Sequence, residues 1–341
     1  MRVEAITSGY ETWDEYVLRH PDSRGPHLSG WKKVIEETFG HRCYYLAATE
    51  GSVLRGVLPL THMRSRIFGS FLISVPYLNY GGILADDETV RAALYAQAQE
   101  LGKKLKVQYL ELRHLAPQIP EAPTKQHKVA MVLELPGDTE TLWNNFKAKL
   151  RSQIRKPQKE GLTARFGQSE ELDNFYNVFA ENMRDLGTPV YSKKFFARIL
   201  ATFPQQAHLC TVYHKQEALA AGFVFGFRDM LEIPWASSLR KHNALAPNML
   251  LYWSVLEYAI KQGYRRFDFG RCSPNEGTYK FKEQWGALPA ALYWQYWLSN
   301  GRSLPDLSPH NPKYQRAIEL WQKVPLGITR LLGPPIVKNI P

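Results

Sequence analysis

Hydrophobic positions along the chain fall into short alternating runs and longer helical stripes, and the order of the two recurs. Residues 43–60 (CYYLAATEGSVLRGVLPL) read as an apolar run, an EGS turn and a second apolar run, the pattern of a β-hairpin. Residues 71–84 (FLISVPYLNYGGIL) read as a third strand, interrupted by Pro76 and by Gly81-Gly82. Residues 86–106 open on an acidic cluster and carry Val90, Leu94, Ala98, Leu101 and Leu105 at helical spacing. That predicts an amphipathic helix whose first turn has the favourable charge. VQYLEL at 107–112 predicts a closing strand.

The same order returns later in the chain. Residues 208–226 predict strand, polar turn and strand, 230–239 a third strand, 248–263 a helix apolar nearly all round, and RFDFG at 266–270 a closing strand. Local details align as well: Arg55-Gly56-Val57 corresponds to Ala221-Gly222-Phe223, and Gly102 to Gly263. The expectation is an α/β (α+β) chain built from two copies of one β-β-β-α-β module. Between the copies, Asp138 and Thr139 offer an N-cap to a helix with a Leu142–Trp143–Phe146–Leu150 stripe that Pro157 ends. A further helix is expected over 169–185. The domains are expected at 1–135 and 136–300, the second beginning with the basic helix. A Pro-rich strap at 301–341 completes the chain, either packed on the second domain or serving as a docking or membrane-surface segment.

A length of 341 residues fits two domains. The formal net charge of +11 favours an anionic partner: nucleic acid, a phosphorylated metabolite or a membrane surface. Cys43, Cys210 and Cys272 are far apart and odd in number, which excludes a disulfide framework and fits a reducing, cytoplasmic setting. No CxxC pair points to a zinc site, so no metal is expected. The first residues lack the apolar core of a signal peptide, and no uncharged apolar stretch is long enough to span a bilayer. Walker, Rossmann, zincin and GxSxG signatures are absent, and Asp268-Phe269-Gly270 stands without the other parts of a kinase.

The densest polar run is residues 265–286 (RRFDFGRCSPNEGTYKFKEQWG), a strand end followed by a loop, where α/β folds present reactive groups. Asp268 and Arg271 either form a buried pair that holds this loop or take part in chemistry. Lys280 and Lys282 flank Phe281 and are expected to share one face of a strand, framed by Tyr279 and Trp285 in a cleft wall. Arg240, Lys241 and His242 precede a helix N-terminus that suits an anion. Lys147, Arg151 and Arg155, with Lys156, form a basic face in KAKLRSQIRKPQK, a candidate for anion or nucleic-acid contact.

These residues carry a resemblance. LNYGGIL (78–84), RSQIRKPQKEGL (151–162) and FDFGR…GTYKFKEQWGA (267–287) resemble segments of the FemAB family, in particular the branch associated with PEP-CTERM/exosortase exopolysaccharide systems. The family's F-K-x-x-aromatic-G pattern reads here Phe281-Lys282-Glu283-Gln284-Trp285-Gly286. The resemblance implies two tandem GNAT-like (acyl-CoA N-acyltransferase) domains with mixed central sheets. It also implies a cytoplasmic enzyme moving an acyl or aminoacyl group onto an amine of a cell-envelope precursor, peptidoglycan-like or an exopolysaccharide amino sugar. No cofactor is held; acyl-CoA or aminoacyl-tRNA is the co-substrate, and a lipid-linked or nucleotide-linked envelope precursor, with tRNA as a further candidate, is the partner. The chain departs from some peptidoglycan members in lacking a long coiled-coil arm. On this reading Lys282 stabilises the oxyanion, Lys280 supports it or binds a phosphate, and Asp268 and Arg271 shape the loop. Tyr77, Asn79, Tyr80, Gly81 and Gly82 are candidates for the acceptor cleft, where paired glycines permit close backbone approach. Tyr191, Trp235, Arg240, Tyr279 and Trp285 are further substrate contacts, and Arg151, Arg155 and Lys156 an anion contact. The alternative is a non-catalytic RNA- or precursor-binding scaffold of an envelope polysaccharide system, its tail touching the membrane or an envelope complex.

Overall fold

The computed structural model describes residues 1–65, 68–299, 303–305 and 312–340. The chain runs β1 (Arg2–Ile6), α1 (Tyr10–Arg19), α2 (Gly30–Phe39), β2 (Arg42–Glu50), β3 (Val53–Ser65), β4 (Gly69–Ile73), β5 (Leu84–Ala85), α3 (Glu88–Lys104), β6 (Tyr109–His114) and β7 (Thr124–Lys125). It continues through β8 (Val129–Glu134), α4 (Thr139–Asn145), α5 (Ala148–Lys159), β9 (Leu162–Gly167), α6 (Leu172–Asp185), α7 (Lys193–Thr202), β10 (Ala207–His214), β11 (Glu217–Phe227) and β12 (Met230–Ser238). The last elements are α8 (Pro247–Lys261), β13 (Arg266–Cys272), α9 (Gly277–Glu283), β14 (Leu288–Ala291), β15 (Tyr293–Leu298), α10 (Pro312–Gln322) and α11 (Leu326–Val337).

Two compact units result. The first comprises Met1–Val129, Ala291–Asp306 and Lys338–Pro341; the second comprises Ala130–Ala290 and Leu307–Val337. In the first, the sheet order is β1-β2-β3-β4-β6-β15-β7, with β5 on β3. In the second it is β14-β8-β13-β12-β11-β10-β9. Each sheet holds a long antiparallel hairpin (β2–β3, β10–β11), a third antiparallel strand (β4, β12), a helix (α3, α8) and a strand parallel to the third (β6, β13). This is the repeated module, and two glycines show why its spacing is fixed. A Cβ on Gly56 would lie 2.6 Å from Val90 Cγ1 of α3, and one on Gly222 would lie 3.4 Å from Leu251 Cδ1 of α8 and 2.7 Å from Ile233 Cδ1. At equivalent places in the two hairpins, a missing side chain lets the helix settle on the sheet.

The division of the chain is not contiguous. Tyr293–Leu298, placed by sequence in the second domain, pairs antiparallel with β6 of the first sheet, from Tyr293–His114 to Leu298–Tyr109. What fixes it there is a buried polar network. Tyr296 Oη donates to Glu111 Oε2 at 2.8 Å, Arg113 Nε donates to Glu111 Oε1 at 2.8 Å, and the Arg113 guanidinium lies 4.4 Å from the Trp294 ring. Both charges are almost wholly buried, so each depends on the other for compensation.

In the second unit, Asp138 caps α4 by accepting from Thr141 N at 2.7 Å. The single helix expected here is two: Phe146 is extended at ψ 142, and α5 starts at Ala148. Pro157 does not end α5, which runs on to Lys159. The unit's core is strongly aromatic, with Phe175, Phe196, Phe223 and Trp235 meeting mostly edge to face at 4.8–5.9 Å. Of the tail, 301–302, 306–311 and 341 lie outside the described residues. Its helices pack on α6, where Arg330 donates to Asn177 Oδ1 at 2.9 Å and covers the Tyr176 ring.

Candidate active site

In the second unit, β12 and β13 pair in parallel through Met230–Arg266, Leu231–Phe267 and Glu232–Asp268, where the pairing ends. Beyond it β13 turns at Gly270, whose φ of 76° is open to glycine at little cost. The Gly270 N–H goes to Asp268 Oδ1 at 2.7 Å instead of a strand neighbour. Among the described residues, β12 from Ile233 to Ser238 has β11 on one side and no strand on the other. The free edge is a row of backbone donors and acceptors that an extended, amide-bearing ligand arm can pair with.

Lys282 sits at this opening. It is 7% exposed, and its Nζ donates to Gly270 O at 2.8 Å and Arg271 O at 3.0 Å. Burial lowers its pKa below the ordinary lysine value, while Cys272 and Asp268 act to raise it and Arg271 to lower it. An ammonium has three donors, and two are used here among the described residues. The third is a ready hydrogen-bond donor for an oxyanion.

The expected strand across Lys280–Lys282 is a helix, α9, and this separates the two lysines. Residues two apart on a helix point roughly 200° away from one another. Lys282 turns to β13, whereas the exposed Lys280 borders a cleft of about 650 Å³ on the other side. Leu133, Phe146, Lys147 and Lys149 line that cleft with Trp285. Phe281 and Trp285, four apart in sequence, pack on the half-buried Tyr252 at 5.0 and 6.1 Å. Trp285 is thus a core anchor for α9 as well as a cleft residue, and Tyr279, within α9, is half-buried. Sequence reading passed over Tyr252, although the buried face of its helix was visible in the apolar pattern.

The remaining candidates disperse. Arg271 is exposed, and Asp268 is fully buried. Arg240 is exposed at the start of a 3₁₀ turn, Arg240–Leu245, leading into α8; the neighbouring Lys241 and His242 face Glu217 at 3.5 and 3.2 Å. Tyr191 and Trp235 belong to the aromatic core, 6.4 Å apart. On α5, Arg155 and Lys156 are exposed and Arg151 half-buried, Arg155 lying 5.1 Å from the Trp143 ring. Cys43, Cys210 and Cys272 are buried and unbridged, and burial pushes the Cys43 thiol up to about 12. Among the described residues no cluster of His, Cys, Asp or Glu is arranged to hold a metal.

In the first unit the corresponding opening is filled by its own chain. After Ile73–Glu111 the parallel pair ends, Ser74 Oγ accepts from Arg113 N at 2.9 Å, and Gly82 N donates to Arg113 O at 3.1 Å. Arg113 also donates to Leu78 O. Tyr77, Asn79, Tyr80, Gly81 and Gly82 lie in this plug. Tyr77 donates to Lys338 O at 2.9 Å and meets His41 Nε2 at 3.0 Å, and Tyr80 is buried. The close approach that the glycine pair permits is to the protein itself: a Cβ on Gly82 would sit 1.9 Å from His114 Cδ2, and one on Gly81 2.8 Å from Val75 Cγ2. His27, at 3.1 Å from Gly82 O, and His114, accepting from Ile83 N at 3.0 Å, hold the segment from either side.

Residues 144–283 match the acetyltransferase (GNAT) domain family. No curated protein matches the chain. Among solved structures, FemX superposes with a TM-score of 0.69 at 14% identity, over 93% of this chain and 100% of that one. L-PGS from Bacillus licheniformis gives 0.59 at 14% identity, covering 97% and 98%. A tandem GNAT protein from the clavulanic acid biosynthesis pathway gives 0.54 at 12% identity, covering 89% and 99%.

Proposed function

We propose that this chain, which has the tandem GNAT fold of the FemAB type, is an acyl- or aminoacyltransferase acting on an amine of a cell-envelope precursor, with its donor site in the second unit. The observation that carries the reading is Lys282. It is a buried ammonium, tethered to two carbonyls of β13 with one donor to spare, at the point where β12 and β13 part. The donor is an ester or thioester whose arm lies along the unpaired edge of β12. The acceptor amine attacks its carbonyl carbon, a C–N bond forms, and the C–O or C–S bond then breaks. The proton lost by the amine leaves with the alcohol or thiol. In the tetrahedral stage the negative oxygen faces Lys282, and the low dielectric of its site strengthens that contact. Asp268 keeps the Gly270 turn in shape, which places both carbonyls that hold Lys282. Arg155 and Lys156 on α5 give an exposed basic face for the phosphates of a nucleotide-bearing substrate.

An acyl-CoA thioester and an aminoacyl-tRNA ester place the same carbonyl chemistry at this site. FemX and L-PGS are structural neighbours, and their likeness supports the aminoacyl version by analogy of fold. The test incubates the purified chain with radiolabelled acyl-CoA or aminoacyl-tRNA and a panel of amino-sugar and peptide acceptors. Lys282→Met is expected to lower transfer by on the order of 10²–10³, as loss of one oxyanion donor does. A folded Lys282→Met protein with full transfer activity refutes the role given to Lys282.

A further inference from the structure

The tail helix α11 is amphipathic in the reverse of the usual sense. Its buried side is made of Thr329, Gly333 and Val337, and a Cβ on Gly333 would lie 2.8 Å from Val190 N, so absence of a side chain is what seats the helix. Its large apolar side chains point outward: Ile328 is 46% exposed, Leu331 73%, Leu332 47% and Ile336 38%. At 100° per residue these four fall within an arc of roughly 140° on one face. In α10, Leu320 is 66% exposed as well. A soluble surface rarely concentrates so much apolar area in one stripe without a use for it.

The tail segment that carries the stripe is basic in sequence. Residues 312–341 carry Lys313, Arg316, Lys323, Arg330 and Lys338 against Glu319 alone. Arg316 and Lys323 are exposed. At 12 residues α11 is far short of the roughly 20 needed to span a bilayer, and no described helix is long and apolar enough to cross a membrane. An apolar stripe on a short helix with cationic neighbours suits the plane of a lipid interface, the side chains in the acyl boundary and the cations among anionic headgroups. A second copy of the chain suits it less well. One face of a three-turn helix falls well below the roughly 800 Å² per partner of a standard interface, and its four outward side chains offer no hydrogen bond or aromatic anchor.

We propose that α11 docks the protein on an anionic membrane surface through Ile328, Leu331, Leu332 and Ile336. The full chain is tested by co-sedimentation with vesicles of phosphatidylcholine alone and of phosphatidylcholine mixed with phosphatidylglycerol, at low and high salt, beside Leu331→Glu/Leu332→Glu. The wild-type chain is expected to sediment with the mixed vesicles and to be released by salt. The double variant, with an unchanged circular dichroism spectrum, is expected to bind on the order of 100-fold more weakly, since two buried leucine side chains are lost. If the double variant fails to fold, Ile328→Ser serves in its place, with a smaller loss expected. Absence of sedimentation, equal binding by folded variant and wild type, or equal binding to neutral vesicles overturns the proposal. So does a dimer in solution that the variant dissolves, which assigns the stripe to self-association. Transfer activity on soluble substrates is read in parallel, because docking and catalysis lie on different elements and stand or fall separately.

Discussion

Acid should loosen the first unit through two imidazoles that hold the Gly82–Ile83 segment. Arg24 N donates to His27 Nδ1 at 3.0 Å, which leaves Nε2–H to donate to Gly82 O. Ile83 N donates to His114 Nε2, which leaves Nδ1–H for Gln295 Oε1 at 3.0 Å. Each ring is a neutral tautomer with its acceptor nitrogen facing an N–H, so a second proton meets a donor; at His27 the Arg24 carbonyl, 3.2 Å from the same nitrogen, offsets this only in part. Burial, the leading cause in both, pushes His27 down to about 3 and His114 down to about 4 from the ordinary 6.5. The unfolded chain takes up these protons near pH 6.5 and the folded chain does not. The stability the neutral rings contribute is therefore full above 6.5 and is lost as pH falls toward 4 and 3.

Each ring removes about 1.4 kcal/mol per pH unit, so at pH 4.5 the pair removes about 5 kcal/mol. That rivals the whole stability of an ordinary domain, about 5–15 kcal/mol. Asp14 acts in the opposite direction, because burial raises its carboxyl. Hydrogen exchange of the amides across 74–85, corrected for intrinsic rates, should show protection at pH 7.5 that is largely gone at 4.5. His114→Gln, which offers Ile83 N an oxygen that does not titrate there, should flatten the slope by about 1.4 kcal/mol per pH unit. An NMR titration placing either ring near 6.5 in the folded protein, or unchanged protection between the two pH values, refutes the reasoning.

Other substitutions probe separate parts of the argument. Glu111→Gln leaves Arg113 charged and nearly uncompensated in the first core, and thermal or urea unfolding should show a loss of about 3–5 kcal/mol. Asp138→Ala removes the cap of α4 and should lower the urea-unfolding midpoint, with transfer activity unchanged. Because Lys282 must be protonated to donate and burial lowers its pKa, the alkaline limb of the transfer rate should fall below the ordinary lysine value of 10.5. A limb at or above 10.5 would contradict that role.

How much of this was legible in the residues depended on how local the cause was. The hairpins, α3, α8 and their closing strands are set by apolar spacing and by Gly56 and Gly222, all within reach of a short window of sequence. Helix α9 misled because Tyr279–Phe281 alternates like a strand. The competing signal was the i,i+4 pair Phe281–Trp285, which wins because both rings find Tyr252. Gly81-Gly82, expected to line an acceptor cleft, stands close against His114, which Gln295 holds from far along the chain. The motif picks out Lys282 only as a candidate, whereas its two carbonyl acceptors follow from the turn at Gly270, which depends on tertiary contacts.

The placement of β15 has a consequence for how the protein is made. Strand β6 waits beside a vacant position until Tyr293–Leu298 emerges, about 180 residues later in the chain. At a synthesis rate of about 5–20 residues per second, that interval is on the order of 10–40 s. Meanwhile Glu111, Arg113 and Gln118 lack Tyr296, Trp294 and Gln295 respectively, and a β6 edge lies open to wrong partners. On the ribosome, then, the first sheet stays unfinished until β15 emerges, and a chain released before residue 293 would carry it incomplete.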